Sequence, residues 1–490
     1  MPEIGTTRTK MGRQRTAGGT SRRAPARVVN DIHSGLNRTR VRSVVRPGSI
    51  EDLRAVIRGA RAEGLAVSVA GGRHAMGGQQ FASDAVLLDT TLLNRVLRFD
   101  PLRRVVEVEA GIQWPELVNH LIKAQRGRAR QFGIIQKQTG ADRLSIGGAL
   151  AANIHGRGLA LKPFIADIES FVLVDALGNV VRCSRRENAE LFGLAVGGYG
   201  LFGVVARVTL RLAPRRKLRR VVRLADSSAL MQAFDERVAA GFLYGDFQFM
   251  TDAAAAGFLR RGVFSCYEPV PDDHPAPPRH KELSAGEWRQ LLYLAHADRR
   301  RAFEAYAAHY LSTSGQLYWS DTHQLSVYLD DYHRELDRRL GAGARGSEMI
   351  TEVYVPRAEL ARFMEETCAD FRARGTELIY GTVRLIEKDD ESFLAWARDR
   401  YACVVFNLHV AHTRAGIEKA RSDFRRLIDR AVCHGGSYYL TYHRWATREQ
   451  VLACYPQFPE FLRLKRSYDP AETFQSDWYR HYKTLFGRAV

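Results

Sequence analysis

Residues 70–78, AGGRHAMGG, constrain this chain more than any other stretch. They follow a short apolar run at 65–69 and place two glycine pairs around an arginine and a histidine. Glycines at that density let a backbone turn through positive φ and approach a ligand closely. Read alone, the loop fits a tight connection between two strands as well as it fits the wall of a site. The elements before it narrow the choice. Ser49 and Asp52 begin a helix in which Leu53, Val56, Ile57 and Ala60 recur at helical spacing, and Gly64 ends it. The order is helix, strand, glycine loop. A dinucleotide-binding fingerprint needs strand, GxGxxG, helix, so that motif is excluded.

Two further glycine-rich stretches follow. Residues 139–158 read TGADRLSIGGALAANIHGRG, dominated by small residues and closing on Asn153, His155 and Gly156. Close packing against a sheet would explain the small residues but not the density of polar groups and glycines. A phosphate-rich cofactor explains both, because exposed backbone N–H groups and hydroxyls bind anionic oxygens without a lysine. The third cluster is GGYGLFGVV at 197–205. Spread over some 135 residues, the three suggest one extended ligand wrapped by one domain.

Around them the pattern mixes short strands and helices. Hairpins are expected at 96–108 and 171–183, a helix from Trp114 with Pro115 in its first turn, and a helix through Leu194 capped by Ser184 and Glu187. A basic linker at 214–220 leads into a different texture. Strands are expected near 221–224, 247–250, 353–355, 378–383 and 404–410, with helices at 230–239, 287–311, 328–340, 360–374 and 416–432. Pro-rich 269–278 and Gly-rich 341–346 read as surface loops. No internal repeat is visible.

At 490 residues the chain has room for more than one domain. Lys and Arg outnumber Asp and Glu 73 to 54, a net charge of +19 that raises the prospect of a nucleic-acid partner. Some of the excess comes from the first 28 residues, where seven basic residues face only Glu3 and large apolar residues are scarce; this tail is expected to be disordered. Elsewhere basic and acidic residues alternate, the pattern of a solvated surface. Aromatic and basic residues interleave at 438–445, which suits base stacking, a pocket over a planar cofactor, or a domain seam. The six cysteines are far apart and form no CxxC, so no metal site or disulfide framework is expected and a cytoplasmic location is. Arg22-Arg23 has no apolar segment after it, so export is not expected. No run reaches 18 apolar residues, so no integral membrane segment is expected.

Taken together, AGGRHAMGG, LSIGGALAANIHGRG and GGYGLFGVV resemble, in order and spacing, the PCMH-type FAD-binding domain of the vanillyl-alcohol-oxidase family. Within it the chain resembles the branch of decaprenylphosphoryl-ribose oxidases and alditol or sugar-lactone oxidases, well over 40–212 and 376–485 and poorly over 215–350. The resemblance implies an α+β chain with a bipartite FAD-binding domain and a second α+β substrate, or cap, domain built on a sheet flanked by helices. Its expected divisions are a tail at 1–27, the FAD domain at 28–213, the cap at 214–445, and a C-terminal segment at 446–490 that returns to the FAD domain.

The implied cofactor contacts are Ala70, Gly71, Gly72, Arg73, His74, Ala75, Met76, Thr139, Gly140, Ala141, Ser145, Gly147, Gly148, Ala152, Asn153, His155, Val204 and Val205. His74 stands where many members bond covalently to the flavin; a second bond through a cysteine is not expected, since 139–158 has none. The implied activity is oxidation of an alcohol carbon of a sugar, polyol or related hydroxylated molecule, with oxygen or another carrier as electron acceptor and no nucleic acid. The implied pocket residues are Arg384, Asn407, Tyr442, His443 and His155. Arg384 would bind or stabilise charge, and either Tyr442 or His443 would accept the proton, since strand alternation lets only one face the flavin. A flavin-dependent reductase or a cyclising oxidase on the same scaffold is the alternative, and a basic nucleic-acid-binding protein a remote one.

Overall fold

The computed structural model describes residues 27–275, 280–326, 329 and 332–487. The tail expected to be disordered lies outside the described residues except for Arg27, which pairs with Val41 in a two-stranded ribbon. Part of the proline-rich loop, 276–278, lies outside them too.

The first layer is a three-stranded sheet with Val86–Asp89 in the centre, parallel to Ser43–Val45 on one side and Val67–Ala70 on the other. Parallel neighbours need a crossover, and the helix Ile50–Ala62 supplies it. The Ser49 hydroxyl accepts from the Asp52 N–H at 3.1 Å, as its N-cap position requires. Leu53, Ile57 and Ala60 bury their helix face against Val67 and Leu88. Phe474, from the far end of the chain, fills the same core. The C-terminal segment holds this edge: the Val67 N–H donates to the Thr473 carbonyl at 2.6 Å, and the Gln475 N–H to the Val67 carbonyl at 2.9 Å.

A five-stranded antiparallel sheet follows, in the order Val180–Ser184, Ile168–Val174, Val204–Arg211, Val105–Glu109, Val96–Asp100. Both expected hairpins form. The helix expected behind Ser184 starts later. Its N-cap is Asn188 and it spans Ala189–Ala195. The Ser184 hydroxyl instead accepts from the Arg186 and Glu187 N–H groups, closing a turn.

The cap is built on an eight-stranded antiparallel sheet. Its six central strands fall into two units of like topology. In the first, Lys217–Asp226, helix Leu230–Ala239, Tyr244–Phe249 and Arg261–Val270 succeed one another; in the second, Gly346–Pro356, helix Leu360–Arg374, Leu378–Ile386 and Tyr401–Ala411. The units meet through Tyr244–Phe249 and Leu378–Ile386, with Phe247 opposite Val383. This repeat of topology is invisible in the sequence. Arg261–Val270 was not expected as a strand at all. The long helix expected at 287–311 is two, Ala285–Ala297 and Arg299–Ser312, parted at Asp298, which caps the second by accepting from the Arg301 N–H. That expected at 328–340 spans Tyr332–Leu340 among the described residues.

Strand alternation sorts the cap sheet into two unlike faces. Cross-strand pairs set Ile350 and Tyr380 opposite Asn407, Glu352 and Thr382 opposite Val405, Arg384 opposite Cys403, and Gln248 opposite Thr382. This polar face looks toward the glycine loops. On the other face Val353, Val355, Phe406 and Val404 are fully buried in one apolar cluster with Phe363, Phe371 and Phe424 of the outer helices.

Candidate active site

The three glycine stretches converge. Ser145 caps the short helix Ile146–Ala152, its hydroxyl accepting from the Gly148 N–H. That end lies against the 70–78 loop so closely that side chains are excluded. A Cβ on Gly71 would stand 2.0 Å from Ser145 Oγ, and one on Gly72 2.3 Å from the Arg143 carbonyl oxygen. Arg73 takes a left-handed φ of 60° and ties its guanidinium to Asp89 at 3.2 Å, and the turn directs His74 inward. Segment 320–326 of the cap holds the second stretch in place: Gln324 Oε1 accepts from the Lys137 N–H, Ser326 Oγ from the Gly140 N–H, and Asp142 Oδ2 from the Ser326 N–H.

Between these loops and the polar face of the cap sheet runs one continuous cavity of about 1040 Å³. That is the upper end of small-molecule sites, room for a large cofactor and a substrate together. Residues 70–76, Thr139, Gly140, Ala141, Ser145, Gly147, Gly148, Ala152, His155 and Val205 all line it. Asn153 does not. It ends the short helix in a left-handed turn, and its side chain binds Asp389 and the Ile165 N–H. Val204 is buried in the core behind the wall. The wall fits FAD on its own chemistry, because packed glycines and capped loops present backbone and small hydroxyls rather than side-chain bulk. Replacing Gly72 by Ala should therefore push the Arg143 carbonyl out of position. The expected result is soluble protein with most of its flavin absorbance per chain lost; full flavin content in that variant would contradict this wall.

Opposite the wall stands a network centred on Glu352, which sequence reasoning missed. It is 2% exposed. Its Oε2 accepts from the Tyr442 hydroxyl at 3.0 Å, and its Oε1 from the Cys403 thiol at 2.8 Å and the Tyr354 hydroxyl at 3.1 Å. His155 Nε2 is hydrogen-bonded to Oε1 as well. Burial alone would raise the carboxyl's pKa; the His155, Cys403 and Arg384 groups outweigh it and hold Glu352 at about 2. Burial and the Glu352 charge push the Tyr442 phenol well above 10. Arg384 lines the same space and donates to Thr139 Oγ1, joining cap to cofactor loop. Asn407 also lines it, and its buried Oδ1 has no hydrogen-bond partner.

His443 is placed elsewhere. The expected strand ends at Tyr438, and 440–442 is a turn, so alternation does not apply. Tyr442 faces the cavity, while His443 packs against Phe424 at 4.6 Å between ring centres and against Trp445 at 5.5 Å. Burial, with Arg425 adding to it, lowers its pKa to about 3. An unfolded histidine takes up its proton near pH 6.5. The unfolded chain thus binds more protons between pH 6.5 and 3, and stability falls as pH drops through that window. A melting-temperature profile over pH should show this fall, and His443→Phe should make it shallower; an unchanged profile would contradict the placement.

His74 is 8% exposed, and its Nδ1 lies 2.7 Å from His33 Nε2. Burial first, then the neighbouring His33, lower its pKa to about 3, so the imidazole is neutral.

Comparison with known proteins agrees with this geometry. Residues 41–184 match the family model described as an FAD binding domain. The chain is 26% identical over 444 residues to the L-gulono-1,4-lactone dehydrogenase of Mycobacterium tuberculosis, covering 89% of this chain and 95% of that one. It is 23% identical over 462 residues to the decaprenylphosphoryl-beta-D-ribose oxidase of Mycolicibacterium smegmatis, covering 88% and 92%. Residues 41–184 are thus an FAD-binding domain, and the relatives matched along most of the chain are a dehydrogenase and an oxidase. With cytokinin dehydrogenase 9 of Oryza sativa it shares 28% identity over 190 residues, and there this oxidoreductase spans only 35% of its relative. The family-model match over 41–184 takes in both the 70–78 loop and the 139–158 stretch.

Proposed function

We propose that this oxidoreductase converts CH–OH to C=O on a sugar, sugar lactone, polyol or related hydroxylated molecule. The observation that carries the reading is the single cavity in which the glycine wall faces Tyr442, Glu352 and Arg384. Residues 70–76, Ser145, Gly147 and Gly148 would hold FAD, which when bound accepts a hydride from the substrate carbon. The relatives named for L-gulono-1,4-lactone and decaprenylphosphoryl-ribose support a hydroxylated substrate. Oxygen or another carrier then takes the electrons.

The protein's part is to hold the hydroxyl and move its proton. Tyr442 reaches the cavity and already donates to Glu352, so it relays rather than keeps the proton: the phenol accepts from the substrate hydroxyl as it gives its own proton to Glu352 Oε2. Its high pKa excludes a standing phenolate. Arg384 stays charged and cannot act as a base; it stabilises negative charge on the reacting oxygen. His155 fixes the carboxylate from the far side. The free Oδ1 of Asn407 is placed to accept from a second substrate hydroxyl.

His74 is the residue from which a covalent bond to the flavin would extend. A neutral imidazole keeps a nucleophilic lone pair, and burial ensures that neutrality at working pH. After acid precipitation the yellow colour should stay with the protein and leave it in His74→Ala; release of all flavin from the unaltered protein would end this assignment. For the activity itself, the test is anaerobic mixing with a panel of sugars, sugar lactones and polyols. Bleaching of the flavin by at least one is expected. If none bleaches it while reduced nicotinamide does, the chain is a reductase on the same scaffold.

A further inference from the structure

Farther along the polar face of the cap sheet, beyond Ile350 and Asn407, three side chains meet. His296 comes from the helix Ala285–Ala297, Glu348 from the strand Gly346–Pro356 and His409 from the strand Tyr401–Ala411. One ligand atom from each lies within 4.8 Å of the other two. His296 and Glu348 side chains are each 5% exposed, and His296 Nε2 stands 2.9 Å from Glu348 Oε1. Three buried atoms here have no hydrogen-bond partner: His296 Nε2, Glu348 Oε1 and His409 Nδ1. The first two face each other at 2.9 Å, and His409 completes the group.

The surroundings fix what these atoms offer. His296 Nδ1 lies 2.9 Å from the Leu292 carbonyl, which can only accept, so Nδ1 carries a proton and Nε2 is the nitrogen turned to the cluster. The other carboxylate oxygen, Glu348 Oε2, is held by the Tyr332 hydroxyl and by His333 Nδ1 at 3.3 Å, leaving Oε1 to point inward. Across the 2.9 Å contact only one proton can be shared, and none of the three atoms has a partner outside the cluster. A proton on His296 Nε2 would satisfy Glu348 but leave His409 Nδ1 with nothing.

We propose that His296 Nε2, His409 Nδ1 and Glu348 Oε1 bind a divalent first-row transition ion of the zinc class. Two imidazoles and one carboxylate are a usual donor set for such an ion, and a ligating imidazole whose second nitrogen donates to a backbone carbonyl is the usual supporting contact. Glu377 and Asp337 lie near enough to act on His409, adding negative charge around the ion. No sequence spacing hinted at this site, because its three ligands are each more than fifty positions apart and one of them belongs to a helix that folds over the sheet.

The ion would join that helix to the sheet. Leu291, Leu292 and Ala295 of the same helix line the active cavity, so the metal would position one of its walls. The test is zinc binding by the full-length holoenzyme, stripped with a chelator and titrated with Zn²⁺ against a chromophoric competitor. One zinc per chain is expected, with affinity reduced at least about tenfold in His296→Gln and His409→Gln at unchanged flavin content. Equal zinc affinity in the unaltered chain and both variants would overturn the proposal. So would zinc lost in Cys403→Ser but kept in the histidine variants, which would move the ion to the His155–Glu352–Cys403 cluster. Should either histidine variant fail to fold, the melting temperature of the unaltered chain decides: it should fall on chelation and return with Zn²⁺, and no shift would overturn the site.

Discussion

Tyr442→Phe is expected to slow reduction of the flavin by substrate about 10²–10⁴-fold, the range for loss of a positioned proton-transfer group. The change removes one oxygen from a ring packed at 5.5 Å from Tyr439, so the cavity keeps its shape. Flavin content and substrate binding should therefore hold while the rate falls. His443→Ala makes the contrasting case. Its ring stacks on Phe424 behind the turn, so it should cost stability and leave the reduction rate within a few-fold. The measurement is rapid anaerobic reduction for both variants. Equal losses, or a loss confined to His443, would contradict the relay.

Glu352→Gln should have the broadest effect. The carboxylate accepts from Tyr442, Cys403 and Tyr354 and pairs with His155, and its side chain is almost fully buried. An amide cannot accept the Tyr442 proton, so kcat/KM should drop by a factor comparable to that of Tyr442→Phe. Removing one partner of a buried charged pair also costs about 3–5 kcal/mol, which urea unfolding would read as a lower midpoint. The pH dependence follows from the same group. A carboxyl held at about 2 in the fold and near 4.3 when unfolded stabilises the protein above the higher value. That stability is lost as pH falls toward 2, and the variant should lack this part of the acid transition.

What could be read from the sequence divides along a physical line. The glycine wall was legible because it depends on local properties: glycines where a Cβ has no room, a serine cap, small residues at a close contact. The 70–78 loop and the 139–158 stretch carry those demands in their own composition, and both line the cavity. Arg384, Asn407 and Tyr442 were singled out through resemblance; the sheet sets Arg384 and Asn407 on one face, and the turn after Tyr438 brings Tyr442 to the same cavity. Glu352 was not found because its meaning is made by contacts from 90 and 197 positions away, Tyr442 and His155. One signal was available, a single acid inside the apolar strand MITEVYV. The paired topology of the cap is legible only in space, since the two units keep their order of elements and not their residues.

His443 failed for the opposite reason. The aromatic run 438–445 looked like one strand, but the strand stops at Tyr438 and a turn reverses which side chain faces inward. The same turn lets Gln79 Nε2 donate to the Leu440 and Thr441 carbonyls at 2.9 and 3.0 Å, tying the turn that carries Tyr442 to the glycine loop. Cofactor wall and proton relay are thereby one rigid arrangement, which is why loop changes should reach the chemistry.

The most direct test of the central claim, that one cavity holds a flavin against the Tyr442–Glu352 relay, is the visible spectrum of the purified native protein. About one flavin per chain is predicted, bleached on anaerobic addition of a hydroxylated substrate. A folded protein that stays colourless, even after refolding with FAD, would contradict it.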